Sequence, residues 1–142
     1  MSKNIALAQN DEEIQGCYAV MSELRRHISA DEFLPQVTKQ AAVAGYQLVF
    51  LSDEGSVKAV AGFRVSKWLA TGKYLCVEDF ASKSGERSKG YGGELFDWLV
   101  AYAKEKQCNQ IQLVSRVTRF DAHRFYLRKR MNIEAHYFTL DL

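Results

Sequence analysis

Arg87-Ser88-Lys89-Gly90-Tyr91-Gly92-Gly93 is the stretch whose reading decides the fold. It follows an apolar run, Lys73 to Ser82, and opens a segment in which Leu95, Trp98, Leu99 and Tyr102 recur at helical spacing. A glycine-rich turn between a strand and a helix gathers unpaired backbone N–H groups and the positive end of a helix dipole, the arrangement that receives an anion. Gly90, Gly92 and Gly93 keep side chains away from such a ligand, while Arg87 and Lys89 add charge at its rim. Taken alone, the glycines also suit an ordinary strand-to-helix turn, but three in four residues between two cations exceed what a turn requires.

Outward from this loop, the chain divides into short elements. Asn4 to Gln9 reads as a first strand, and a helix capped at Asn10 or Asp11 follows, with Ile14, Cys17, Tyr18, Met21 and Leu24 on one face. A second helix is expected from Asp31 to Ala44, ended by Gly45. Tyr46 to Leu51 and Val57 to Val65 flank a polar turn and predict an antiparallel hairpin. Beyond the Gly90 helix, which should run to about Lys106, Ile111 to Val114 reads as a strand, Phe120 to about Lys129 as a helix and His136 to Leu142 as a closing strand. The expected order is β-α-α-β-β-β-α-β-α-β, an α/β (mixed α+β) fold in which helices flank a mixed sheet.

Composition narrows the function. Apolar residues at 47% and charged residues at 25%, with one proline, describe a globular chain, and 142 residues suit one domain over 1–142. Nineteen basic against seventeen acidic side chains leave a net charge of +2, which does not favour nucleic acid as a partner. No window approaches the roughly 18 consecutive apolar residues of a membrane span, so no membrane partner and a cytoplasmic location are expected. Cys17, Cys76 and Cys108 form no C-x-x-C pair, and His27, His123 and His136 show no ligand spacing, so no metal is expected.

Two nucleotide motifs fail on spacing. A Walker loop needs Lys-Ser/Thr after its last glycine, but Tyr91 follows Gly90; a dinucleotide fingerprint needs Gly three residues after Gly92, where Leu95 stands. What matches is [RQ]-x-x-G-x-[GA], as Arg87-Ser88-Lys89-Gly90-Tyr91-Gly92, and further on Ala122-x-x-Phe125-Tyr126 matches A-x-x-F-Y. With these two landmarks in order, the chain resembles the GNAT family, the Gcn5-related N-acetyltransferases, over nearly its whole length. The run Asp121 to Arg128 is similar to that of small bacterial amine acetyltransferases such as aminoalkylphosphonate N-acetyltransferase.

The resemblance implies a three-layer fold with a mostly antiparallel sheet, and an enzyme that uses acetyl-CoA as co-substrate to acetylate a primary amine by direct attack in a ternary complex. It implies that backbone groups at Phe80, Ala81 and Ser82 meet the thioester carbonyl and pantetheine arm, and that Arg87 to Gly93 hold the pyrophosphate. It implies Tyr126 as the general acid, a phenol whose ordinary pKa of about 10 suits returning a proton to a thiolate. A carboxylate on the fourth strand would be the base: strand alternation sends Glu78 and Asp79 to opposite faces, and Glu78 is favoured. Acceptor recognition would fall among His27, Asp31, Glu32, Phe33, Trp68 and Tyr74, although Asp31 and Glu32 equally begin the second helix.

The chain departs from the family at Arg119, where Asn is frequent, and at Met131-Asn132, where Gly-Phe is usual. The acceptor class stays open between a small-molecule amine and a protein or peptide amine, and a non-catalytic CoA-binding regulatory module is the alternative from outside the enzymes. A homodimer along the His136 to Leu142 edge is compatible with the sequence.

Overall fold

The structure is a computed structural model and describes residues 2–142. Two compact units divide at Gln112 and Leu113. In the first, five strands form one sheet in sequence order: β1 (Asn4–Leu7), β2 (Gln47–Asp53), β3 (Ser56–Trp68), β4 (Gly72–Ser82) and β5 (Gln110–Leu113), whose last residue falls across the division. The pairs β1–β2, β2–β3 and β3–β4 are antiparallel.

The segment expected as one helix is two, α1 (Asp11–Gly16) and α2 (Tyr18–Leu24). The break has a local cause at Cys17. Its N–H bonds to Ile14 O at 3.0 Å, a tight turn, while its thiol donates to Glu13 O at 3.4 Å, so the regular hydrogen-bond ladder is interrupted after Gly16. Next, α3 (Ala30–Ala44) opens with a capping box, Glu32 N donating to Ser29 Oγ at 3.2 Å and Ser29 N to Glu32 Oε1 at 2.9 Å. Gly45, with φ 73°, closes it in the left-handed conformation. Cys17, Val20, Met21, Phe33 and Val37 from these helices pack with Tyr46, Leu48 and Val60 on one face of the sheet.

On the opposite face lies α4 (Tyr91–Glu105), preceded by a 3-10 turn at Arg87–Lys89. Its Leu95, Phe96 and Leu99 are buried, and rings meet across the layer: Phe80 with Phe96 at 6.2 Å and Phe63 with Trp98 at 6.3 Å. The sheet is therefore covered on both faces, the three-layer arrangement the resemblance implies. Between Gly62 and Phe63 the β3–β4 register shifts: Gly62 faces Asp79 but Phe63 faces Val77, leaving Glu78 as the extra residue of a bulge.

The second unit, Leu113–Leu142, carries α5 (Phe120–Arg128). The expected closing strand over His136 to Leu142 is not formed; residues 131–142 hold neither helix nor strand. Tyr137 and Phe138, neighbours that alternation would send to opposite faces, are both exposed. An alternating pattern marks a segment able to pair, but a strand forms only where an edge and a covering face are available.

Candidate active site

Ser82 ends β4, and the chain turns back with Lys83 N donating to Lys58 O at 2.8 Å. Gly90, at φ 83° and ψ 9°, is the N-cap of α4 and offers no side chain, so the first N–H groups of that helix have neither an intrahelical acceptor nor a side-chain cap. A Cβ at Gly92 would stand 3.6 Å from Ser82 Oγ and 3.8 Å from the Phe80 ring. The first turn of α4 thus rests on the end of β4, which brings Gly92 against Phe80 and Ser82. Arg87 Nε donates to Ser82 O at 3.3 Å, and Ala81 packs on the other face, against the core beneath α2 and α3. Tyr91 is buried and its hydroxyl donates to Asp53 Oδ2 at 2.8 Å, which pins the start of α4 to the end of β2; that hydrogen bond is the main reason its phenol is pushed up to about 12. Ser88 and Lys89 are exposed and Gly93 is half-buried in the first turn.

The cations of the loop are already organised by two carboxylates. Glu86 accepts from Lys58 at 3.0 and 3.1 Å and from Lys89 at 3.1 Å, and Lys83 lies 3.6 Å away. Hydrogen bonds from Lys58 and then Lys89 hold its carboxyl at about 2, well below the usual range. Arg87 pairs with Glu23 at 3.6 Å, and the same Glu23 oxygen takes Ser84 N at 2.9 Å. Lys58 is absent from the motif and only strand pairing brings it to the loop, so the sequence carried no local signal for it.

At the bulge the structure corrects the expectation that Glu78 and Asp79 point to opposite faces. The extra residue breaks alternation, and both carboxylates meet arginines. Arg64 Nε donates to Glu78 Oε2 at 2.5 Å; Arg25 Nε donates to Asp79 Oδ1 at 2.7 Å, and Tyr46 OH to Asp79 Oδ2 at 2.7 Å. Glu78 Oε1 accepts no hydrogen bond among the described residues, whereas both oxygens of Asp79 are taken. Burial holds the Tyr46 phenol above its ordinary value, so it remains a donor.

In the second unit, Tyr126 is buried in α5, with its ring 5.5 Å from that of Phe125. Burial raises its phenol above the ordinary value, opposed by the Arg119 guanidinium and its hydrogen bond. Arg119, the departure from the family pattern, therefore acts on Tyr126 itself. His123 Nε2 lies 2.8 Å from Arg116 O, a structural role within the same unit.

Other expected residues fall elsewhere. Phe33 is core and Glu32 closes the capping box of α3, while the rings of Trp68 and Tyr74 lie tilted at 5.4 Å across the turn that joins β3 to β4. Burial raises the Cys76 thiol, which makes it a poor nucleophile at neutral pH.

Against known proteins, a profile of the Acetyltransferase (GNAT) family matches residues 8–131. The chain belongs to the GNAT acetyltransferase family. It is 30% identical over 128 residues, 89% of this chain and 90% of its relative, to the uncharacterized N-acetyltransferase YhdJ of Bacillus subtilis (strain 168). Its structure superposes on a GNAT family acetyltransferase of Staphylococcus aureus subsp. aureus USA300_TCH1516 with a TM-score of 0.83, at 21% identity and 100% coverage of both chains. On glucosamine-6-phosphate N-acetyltransferase of Arabidopsis thaliana the TM-score is 0.78, at 17% identity and 99% coverage of each chain. These two likenesses are of fold. The protein is an N-acetyltransferase, a GNAT enzyme, and the family uses acetyl-CoA. The residues present fit that co-substrate: a side-chain-free left-handed cap opens a 15-residue helix beside a strand end, with cations at its rim. Among the described residues no helix is long and apolar enough to cross a membrane.

Proposed function

We propose that this GNAT enzyme transfers acetyl from acetyl-CoA to the primary amine of a small molecule, by direct attack in a ternary complex within one domain spanning residues 1–142. The observation that carries the reading is the continuity of β4. Glu78, with one uncommitted carboxylate oxygen, stands two residues before Phe80, and Phe80 and Ser82 lie against the glycine turn that opens α4. A proton acceptor and an anion cradle are thereby built on one strand.

When bound, acetyl-CoA supplies the acetyl group as a thioester. Backbone groups of Phe80, Ala81 and Ser82 orient its arm, and Arg87, Ser88, Lys89, Gly90, Tyr91, Gly92 and Gly93 receive its phosphates. Glu78 takes the proton that the acceptor amine must lose to become nucleophilic. Tyr126, kept protonated by its burial, gives a proton to the departing thiolate. A small amine as acceptor is supported by the Asp121 to Arg128 run, and a homodimer, if it forms, has the exposed residues 133–142 available to it.

The test is thiol release from acetyl-CoA with a panel of small primary amines set against lysine-containing peptides. Faster turnover of a small amine is expected, and exclusive turnover of peptides would replace the acceptor class. Tyr126→Phe is expected to lower kcat while leaving acetyl-CoA affinity intact; unchanged turnover removes Tyr126 from the mechanism.

A further inference from the structure

The bulge in β4 is held by three side chains that the motifs of the family do not include. Its extra residue, Glu78, has a backbone carbonyl displaced from the regular ladder, and Arg25 Nη2 donates to that oxygen at 2.9 Å. The same guanidinium uses its Nε on Asp79 Oδ1 at 2.7 Å, so one planar fork joins the bulged carbonyl to the next side chain. Tyr46 OH completes Asp79 by donating to Oδ2 at 2.7 Å. Each partner comes from a different element: Arg25 caps the C-terminus of α2, Tyr46 precedes β2, and Asp79 belongs to β4.

Gly62 shows how tightly this is fitted. It faces Asp79 across the ladder at the register shift, and an ideal Cβ on it would lie 1.7 Å from Tyr46 OH and 2.3 Å from Tyr46 Cζ. The phenol therefore crosses Gly62 to reach Asp79, and no other residue at position 62 leaves that path open. Tyr46 is 5% exposed and the Asp79 side chain 16%, so the pair is shielded from the water that would weaken it.

We propose that Arg25, Tyr46 and Asp79 are positioning residues of the acetyl transfer: together they lock the β4 bulge that brings Asp79 onto the face Glu78 shares with Arg64, and through the Glu78 carbonyl they fix the backbone from which Glu78 reaches Arg64. This rests on the reading of Glu78 as the base. It assigns Asp79, the other carboxylate of the strand, a structural task that occupies both its oxygens, and it explains why two adjacent acidic residues do not exchange roles. Cys76 faces Arg64, so Glu78, two residues on, shares the face of Arg64, and the bulge adds Asp79 to that face. Without the clamp the displaced Glu78 carbonyl is no longer held, and the backbone that presents Glu78 to Arg64 is released.

The experiment is solution NMR of the full chain without ligand, reading the Arg64 Nε–H, which the Glu78 carboxylate shields. Tyr46→Phe keeps the ring and removes the hydroxyl, Gly62→Ala blocks the path without altering a clamp member, and Arg25→Lys cannot serve carbonyl and carboxylate as a fork. In each variant the Arg64 Nε–H is expected to exchange at least tenfold faster, with loss of the cross-strand contact between position 62 and Asp79. A purely packing role for Tyr46 leaves the Arg64 Nε–H unchanged; unchanged exchange in folded Tyr46→Phe and Arg25→Lys overturns the proposal. Where an amine of the panel is turned over, kcat falls about tenfold in Tyr46→Phe while the KM for acetyl-CoA stays within twofold, and equal loss in both parameters counts against positioning. Calorimetry with acetyl-CoA separates the two readings: wild-type protein that fails to bind it overturns the proposed function, while the NMR result still decides the clamp.

Discussion

Gly92 offers a perturbation whose effects on stability and on ligand binding have opposite signs. A Cβ there meets Ser82 Oγ at 3.6 Å and the Phe80 ring at 3.8 Å, ordinary contact distances, so Gly92→Ala should fold without strain. Because the position lies in the first turn of α4, replacing glycine gains up to about 1 kcal/mol of helix propensity, roughly 3 °C in Tm for a chain of this size. Gly92→Glu gains similarly, since a carboxylate in a first helical turn also suits the macrodipole. Binding is another matter. A carboxylate held about 6 Å from a phosphate charge, at an effective dielectric of about 20, costs about 3 kcal/mol, or roughly a hundredfold in Kd. Thermal melts and calorimetric titration with acetyl-CoA, run on wild type and both variants, provide the assay. The expected result is two variants at least as stable as wild type, of which only Gly92→Ala binds. Gly92→Glu protein that is folded and binds with wild-type affinity would refute the placement of the pyrophosphate at the α4 N-terminus.

Three further outcomes follow from the local chemistry. Glu86 is held at about 2 when folded, below its ordinary carboxylate value, so its contribution to stability is present above about pH 4.5 and is lost as pH falls toward 2; acid titration of Glu86→Gln should show a shallower loss across that window, and an unaltered curve would discount the Lys58 and Lys89 bonds. Ser29→Ala removes the acceptor of Glu32 N in the capping box of α3 and should cost about 1 kcal/mol, seen as a Tm lower by roughly 3 °C. Cys17 is fully buried and its thiol is pushed up to about 12, mainly by burial, so at pH 8 it should resist alkylation in the native protein and react on unfolding; labelling followed by peptide mapping checks this.

The sequence reads well wherever a residue's task is local. Gly45 and Gly90 mark helix ends because a left-handed turn accepts few residue types, and α3 and α4 start and stop within a residue of the expected Asp31 to Ala44 and Gly90 to Lys106, although the Ser29 cap of α3 was not read from the sequence. The glycine turn and its cations were legible for the same reason, as was the family. Where hydrogen bonds compete over three or four residues the pattern misleads: the apolar face from Ile14 to Leu24 is continuous, yet the Cys17 thiol and N–H divide α1 from α2.

What the sequence by itself determined is therefore the periodicity of each element, the glycine-rich turn that opens α4 and the acetyltransferase family. Only the tertiary structure decided what depends on partners distant in the chain. It placed Lys58 on Glu86, crossed Tyr46 over Gly62 to Asp79, and set the register shift that gives Glu78 and Asp79 arginine partners in place of opposite faces. It also left His136 to Leu142 without the strand its alternation suggested. Periodicity is a property of one segment, whereas register, bulges and edge pairing are properties of two, and their choice depends on backbone and side-chain groups that adjacency in sequence does not bring together.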